Sequence, residues 1–478
     1  MPLDIVIGAL TTVSPEPCGL ATYWGNFSLA LRQQFPRRIK GMTVTAIDTT
    51  EKSYRKNPTV QCIIQKYNPD SWKEGIEKTI ENLEALGSKY PRAVKVLYLN
   101  NEFGLSPLFN EDGSYENARG THFVDIARKA KSRGIYVVEQ KHTLRTTPQD
   151  HERSIYASID EIVDASIGLS KSIKPILREV YGIDPDDHET ALIENIHHGS
   201  WMTNISIQEQ RKIREKLGLQ RVGTTLLIAG LQGEGKGIPE AIDGYGMAIR
   251  EYGVIEEDTV LMIAGQIHPG LIKSAPEKAE KLEEEKQNAC ERWKLKTVKA
   301  TVKTLPKIDP RKVNVILLEK YQTNRHMMWL DSSSDINITV YQNLEQIASG
   351  RFIEGVATGE ASITTPFVNA YDIIEPTHFQ GISPMELTTL NERSGLDWPL
   401  IDDRLPKASF VQPNSQDTPR QIAVSIQRMT ENNRKLLREM KKNMRRIGKK
   451  QGWESHARAF MRLIETLEEN KTIDAEAK

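Results

Sequence analysis

The chain has 478 residues, with 64 Lys+Arg set against 64 Asp+Glu, 38 % apolar residues and three cysteines. Single cores stop growing at roughly 250–300 residues, so this length implies more than one domain, and the apolar share is well above that of a disordered chain. Balanced charge argues against a nucleic-acid binder, which needs a basic excess or a concentrated basic face, and no apolar run approaches the ~20 residues of a membrane helix.

In chain order, the N-terminal MPLDIVIGAL carries Asp4 and no basic region ahead of a short apolar stretch, so it reads as a core strand over 3–10 and not as a signal peptide. A loop with Pro15, Pro17 and Gly19 leads into a helix whose Leu20, Trp24, Phe27 and Leu31 share one face. Strands follow at 43–47, 94–99, 135–138, 165–169 and 191–196, with amphipathic helices at 122–130 and 172–180 among them. The pattern then restarts: strand 224–230, helix 237–251, strand 260–265, a charged helix over 276–296 that reads as solvated, and strands 313–318, 336–341 and 361–365. Near-continuous apolar strands separated by helices predict parallel, doubly wound sheets, here two of them. The division is expected as 1–205, 206–418 and 419–478, with a polar, Pro-containing insertion at 375–407. Thr418 and Pro419 open one long helix running to Ile447, and a last helix runs from Trp453 to Leu467. Cys18, Cys62 and Cys290 are odd in number and far apart, which fits reduced thiols in the cytosol better than a disulfide framework or a CxxC metal site.

Three segments carry candidate chemistry. After the first strand, Gly19 allows close backbone approach to a ligand at a helix start, or simply makes a tight turn. Gly230-Leu-Gln-Gly233-Glu-Gly235-Lys236-Gly237 follows a strand and precedes a helix, but Gly237 stands where a P-loop needs Ser or Thr for Mg²⁺. A diphosphate cradle and a glycine-rich surface turn with a solvated Lys236 are both open for that segment. The third, 345–359, lies between two strands. Ser349 and Gly350 would open a short helix offering amides to a phosphate, with Arg351 beside them, and Glu354 about one turn in. Asp184-x-Asp186-Asp187 reads as a solvated loop, and the adjacent His197 and His198 point apart in an extended chain and do not suit a shared metal.

These runs together resemble family-4 glycosyltransferases of the GT-B fold. EQIASGRFIEGVATGEASITTP (345–366) is similar to the donor-site signature of a subgroup with an E-Q-x-S-S-G run. Asn101-Glu102-Phe103-Gly104 resembles H-E-F-G, His142-Thr143 ends a strand where the family places an active-site His, and Ile196-His197-His198-Gly199 resembles P-H-G. Gly265-Gln266-Ile267-His268-Pro269 resembles G-x-x-H-P. Two departures stand out: the family's paired glutamates are eight positions apart, so Gln346 occupies the usual first place and Glu345 precedes it, and Leu231 replaces an Arg often found there.

The resemblance implies two Rossmann-like domains facing a central cleft, C-terminal helices, and a retaining, metal-independent hexosyltransferase with no cofactor beyond its substrate. That substrate would be a nucleotide-diphosphate sugar of the GDP-mannose or UDP-glucose type, bound on the second domain. The acceptor, carbohydrate or lipid-linked, would lie on the first, with Glu102 on its side unless Glu102 is a plain surface carboxylate. His142, Lys236 and Glu345 would be catalytic. Gly19, Gly235, Lys236, Gln346, Ser349, Gly350, Arg351 and Glu354 would bind the donor, Glu354 through its ribose. The expected place is cytoplasmic, with peripheral membrane contact through the basic stretch 433–450 as one reading and an ordinary solvated helix face as the other. A non-catalytic nucleotide-sugar-binding or assembly partner with the same fold is the alternative function.

Overall fold

A computed structural model of the full chain describes residues 3–16, 18–48, 54, 57–102, 104–110, 115–187, 191–375, 386, 398–402 and 405–477. The chain divides into two compact units. One comprises 1–199, 346–348 and 453–478, the other 200–345 and 349–452.

The first unit runs β1 (Ile5–Thr11), α1 (Gly19–Gln34), β2 (Ile39–Asp48), β3 (Val60–Gln65), α2 (Pro69–Ser88) and β4 (Val94–Asn101). It continues with β5 (Pro107–Phe109), β6 (Tyr115–Arg119), α3 (His122–Ser132), β7 (Tyr136–Lys141), α4 (Asp150–Asp160), β8 (Ala165–Gly168), α5 (Ile173–Ile176) and β9 (Leu192–Asn195). Its seven-stranded sheet has the order β3-β2-β1-β4-β7-β8-β9, and every pairing is parallel. All seven residues of β1 are buried, as expected for a strand covered on both faces. Leu20, Trp24, Phe27 and Leu31 do form the buried face of α1. The sequence pattern does not reveal the β3–α2 pair or the β5–β6 hairpin. VQCIIQ is short and weakly patterned, yet α2 carries a clear start signal, since the Asn68 side chain accepts from the Asp70 and Ser71 amides ahead of Pro69.

The second unit runs α6 (Ile207–Lys216), β10 (Thr224–Ala229), α7 (Ile238–Arg250), β11 (Thr259–Ala264), α8 (Pro269–Ser274), α9 (Pro276–Arg292), β12 (Thr297–Lys299), β13 (Val315–Leu318) and α10 (Asn324–Ser333). Then come β14 (Ile336–Thr339), α11 (Gly350–Thr358), β15 (Ala361–Thr364), α12 (Val368–Ile374), β16 (Leu400–Ile401), β17 (Ala408–Phe410), α13 (Thr418–Thr430) and α14 (Lys435–Gly448). The sheet order is β12-β13-β11-β10-β14-β15-β17-β16, parallel except for β16 against β17. Both sheets switch direction of winding beside their first strand, at β1/β4 and at β10/β14. Ligands of open α/β sheets bind outside the carboxyl ends of the strands at such points.

Three expectations are corrected. The helix expected from Thr418 to Ile447 is two helices, because Asn432, Asn433 and Arg434 have φ of 46°, 54° and 60°. Asn tolerates that region, and Arg434 is drawn to the Asp258 carboxylate, an attraction between residues far apart in sequence. The charged α9 is not a solvated helix, since Ala279, Leu282, Ala289 and Cys290 are buried, and Lys286 is buried between Glu283 and Gln232. The last helix, α15 (Trp453–Ala477), extends past Leu467. On α14 the buried Leu437, Met440, Met444 and Gly448 form a packing stripe. Most of 375–407 lies outside the described residues.

Candidate functional site

In the second unit the glycine-rich loop leaves β10 at the switch point and is pinned on two sides. Gln232 extends the sheet beyond its strands: its amide donates to the Gln266 carbonyl at 2.9 Å, and its carbonyl accepts from the His268 amide at 2.7 Å. Its side-chain amide donates to the Gly265 carbonyl at 2.6 Å. Gly265 has φ +136°, and a Cβ there would stand 1.9 Å from the Gly230 carbonyl oxygen. On the other side, the Gly235 carbonyl accepts from the Gln342 amide at 2.9 Å, just past β14. Gly237 caps α7 with φ +62°, and a Cβ there would lie 2.3 Å from the Val340 carbonyl oxygen. The backbone can therefore bring Lys236 to the mouth of the switch point only through glycine. Its ammonium sits 3.9 Å from the centre of the Tyr341 ring, a cation–π contact that fixes the charge over the end of β14. A cavity of about 430 Å³ lies alongside, lined by Gly237, Glu240, Val340, Gln342, Thr365 and Asn414 among others.

The expected short helix is present. α11 begins at Gly350 with Ser349 as its N-cap, and the Ser349 hydroxyl accepts from the Phe352 amide at 3.2 Å. The Ser349 amide is already used by the Asn369 side chain at 3.1 Å, so the amides offered by this helix start are those of Gly350 and Arg351. Asn343 opens an Asx turn that Glu345 closes, the Glu345 amide donating to Asn343 Oδ1 at 2.9 Å, and the Gln346 side chain donates to the Ala348 carbonyl.

The sequence suggests the Arg351 side chain as a phosphate ligand, and the structure gives it another partner. Its guanidinium is paired with Asp331, a carboxylate buried at the end of α10, and its side chain packs against Gly230. Glu354 and the buried Glu360 add their negative potential to the same guanidinium. Burial, with the Asp331 charge behind it, pushes the Glu354 carboxyl up to about 7, against the opposing pull of the Ser200 hydroxyl it accepts from and of Arg351. Burial holds Glu360 well above the usual carboxylate range. Sequence reasoning misses Asp331 and Glu360: neither stands out as a candidate along the chain, and only the folding of α10 against α11 brings Asp331 to Arg351.

In the first unit the candidates gather at the carboxyl ends of β1, β4 and β7. Gly19 is the first residue of α1, with open space where a Cβ would stand. Cys18 caps that helix through its sulfur, which also lies 2.9 Å from Thr12 Oγ1, and burial pushes the thiol up. Pro17 and Phe103 lie outside the described residues. Glu102 follows β4, half-buried, and its carbonyl accepts from the Leu105 amide at 3.2 Å. His142 follows β7, buried with its ring edge-on to Tyr23 at 4.6 Å, and desolvation and the neighbouring His198 and His456 hold it well below the usual histidine range. Burial likewise lowers His198 to about 4 and His456 to about 3. The adjacent Lys141, fully buried, is held by Glu139 and by Asp160 at 3.0 Å, with its ammonium 4.6 Å from the Tyr156 ring centre. This ion cluster anchors the strand that carries His142. It is invisible in the sequence because lysines are almost never fully buried unless paired.

No protein-family profile matches the sequence, and no curated protein sequence matches it. Solved structures do resemble it. HepE of Anabaena, solved with UDP and glucose, is 11 % identical, with 97 % of this chain and 100 % of that one aligned at a TM-score of 0.61. A glycosyltransferase of Rickettsia africae is 12 % identical over 98 % of this chain and 99 % of that one, at 0.61. An α,α-trehalose-phosphate synthase (UDP-forming) of Burkholderia xenovorans, solved with glucose-6-phosphate, is 10 % identical over 96 % and 99 %, at 0.59. Over nearly the full length of every one of these chains, and despite identities this low, the likeness establishes the fold: the chain is built as two Rossmann-like units of the GT-B type found in these glycosyltransferases.

Proposed function

We propose that the protein is a retaining hexosyltransferase, akin to family 4, that moves a sugar from a nucleotide-diphosphate donor to a carbohydrate or lipid-linked acceptor without a metal ion. The observation that carries this reading is the loop 230–237. Glycine backbone and Lys236, fixed over Tyr341, converge where β10 and β14 diverge, next to the start of α11. Breaking the anomeric C–O bond leaves added negative charge on the departing diphosphate. In this reading Lys236, the Gly235 and Gly350 backbone and the Arg351 amide stabilise that charge, and Gly19 keeps the first unit's helix start open to the donor. Arg351 contributes backbone more than guanidinium, because Asp331 already holds its side chain. Glu354 accepts from the ribose hydroxyls, Gln346 and Glu345 orient the donor sugar, His142 accepts from one of its hydroxyls, Ser349 shapes the helix start, and Glu102 serves the acceptor.

The structural neighbours solved with UDP, UDP-glucose or a UDP-sugar analogue favour a UDP-sugar over a GDP-sugar donor, although a mannosyltransferase keeps the same machinery. No helix among the described residues is long and apolar enough to cross a membrane. A cytoplasmic enzyme, peripheral to a membrane if its acceptor is a lipid, fits that fact. The loss of the Arg351 guanidinium to Asp331, together with Leu231, specifically favours the second reading, a nucleotide-sugar-binding partner without turnover. A thermal-shift panel of UDP, GDP, ADP and their sugars tests both. A ligand at ~100 times its Kd adds about 2.7 kcal/mol. No response to any nucleotide would overturn the proposal, and binding with no transfer to any acceptor would replace it with the second reading.

A further inference from the structure

Four histidines lie at or near the strand ends of the first unit, and three are locked in one tautomer by backbone. His197 Nδ1 lies 3.0 Å from the His198 carbonyl, His198 Nδ1 2.8 Å from the Gly199 carbonyl, and His456 Nδ1 2.6 Å from the His197 carbonyl. A carbonyl only accepts, so each of these rings carries its proton on Nδ1.

His142 is arranged the other way round. Its Nε2 meets Asn100 Oδ1, and Asn100 is fully buried. The orientation of that amide is set one step further back. Asn100 Nδ2 lies 2.8 Å from Thr11 Oγ1, and the Thr11 hydroxyl donates to the Thr12 carbonyl at 3.1 Å. With its one proton committed to a carbonyl, Thr11 Oγ1 can only accept from Asn100. The amide NH₂ therefore faces Thr11 and the amide oxygen faces His142, which makes His142 Nε2 the donor. In an uncharged ring the lone pair is then on Nδ1, and no protein group among the described residues hydrogen-bonds to it.

We propose that Asn100, oriented by Thr11, is a positioning residue that holds His142 in the Nε2–H tautomer, so that Nδ1 is presented as an acceptor to a donating group of the ligand, a sugar hydroxyl and not an oxyanion. The ligand half of this statement rests on the glycosyl-transfer reading; the tautomer half does not. The chain threads the feature through three adjacent strands: Thr11 ends β1, Asn100 lies at the end of β4, and His142 follows β7. A ring that merely filled core space would have no need of a relay that leaves its second nitrogen unpaired.

The test is long-range ¹H–¹⁵N correlation on the full chain labelled at histidine, with His142 assigned by its loss in His142→Gln. The expected spectrum of the ligand-free protein shows His142 with a protonated Nε2 and an unprotonated Nδ1, while His197, His198 and His456 show the reverse. Asn100→Leu should release His142 into a mixture of tautomers and weaken nucleotide-sugar affinity roughly tenfold, the loss of about one good hydrogen bond. A His142 protonated on Nδ1 in the wild type, or an unchanged tautomer in a folded Asn100→Leu, would overturn the proposal. Should Asn100→Leu fail to fold, the wild-type spectrum alone decides. A wild-type spectrum as expected, but with Nδ1 unmoved by saturating nucleotide sugar, overturns the hydroxyl contact and leaves the tautomer assignment standing.

Discussion

Glu354 is the group whose titration the structure makes most consequential. Its carboxyl is raised from 4.5 to about 7, by burial first and by the Asp331 charge second. For an acid raised in the folded state the sign is fixed: the fold holds the proton more tightly than the unfolded chain does. The stabilisation is therefore complete below 4.5 and is lost as pH rises through about 7. A tenfold difference in proton affinity between the folded and unfolded chain is worth roughly 1.4 kcal/mol. The full swing is then on the order of 3 kcal/mol, or a Tm change of about 5–10 °C for a cooperative unit of about 250 residues. Glu354→Gln keeps the shape and an oxygen to accept from the Ser200 hydroxyl, and removes the ionisation. Melting curves of both proteins from pH 5 to pH 8 should start together and diverge, the variant becoming the more stable above neutrality. A constant gap between the two curves across that range would refute the reasoning. If the ribose hydroxyls donate to this group as proposed, nucleotide binding favours the carboxylate. Affinity in the wild type then rises up to about tenfold per pH unit below neutrality and is flat in the variant. Isothermal titration at pH 6 and pH 8 reads that difference.

Lys236→Ala should weaken UDP binding by about 1.5–3 kcal/mol, the usual cost of a charge-assisted hydrogen bond, while leaving the unliganded Tm nearly unchanged; unaltered affinity would remove the loop from the donor site. Gly237→Ala places a Cβ 2.3 Å from the Val340 carbonyl oxygen at φ +62°, and should cost about 1–3 kcal/mol in urea unfolding, whereas Gly233→Ala meets nothing within 4 Å and should be almost silent. Lys141→Met leaves the buried Glu139 and Asp160 without their shared cation and should cost about 3–5 kcal/mol at neutral pH; a loss near zero would show that the cluster is neutralised by protons instead.

Much of the architecture is legible in the sequence because it is local. β1 and its partners announce themselves as apolar runs buried on both faces, α1 as four residues on one stripe, and α11 by the Ser349–Gly350 start, each within a span the chain itself sets. Gly237 and Gly265 mark places where only a missing side chain lets two loops pass, and the structure puts Gly237 against Val340 and Gly265 against Gly230. Other features are decided by tertiary structure alone. The sequence offers Arg351 as a free cation beside a helix start, but whether a guanidinium is free depends on what the fold brings to it, here Asp331 from a different helix. It suggests one helix through 432–434, and the pull of Asp258 on Arg434 accompanies two. It presents Glu354 and Lys141 as ordinary charges, and burial turns the first into a group titrating near neutrality and the second into the core of an ion cluster. Periodicity and turn chemistry act between near neighbours and can be read along the chain. Desolvation, charge pairing and tautomer choice depend on groups that meet only when the strands of each sheet are side by side.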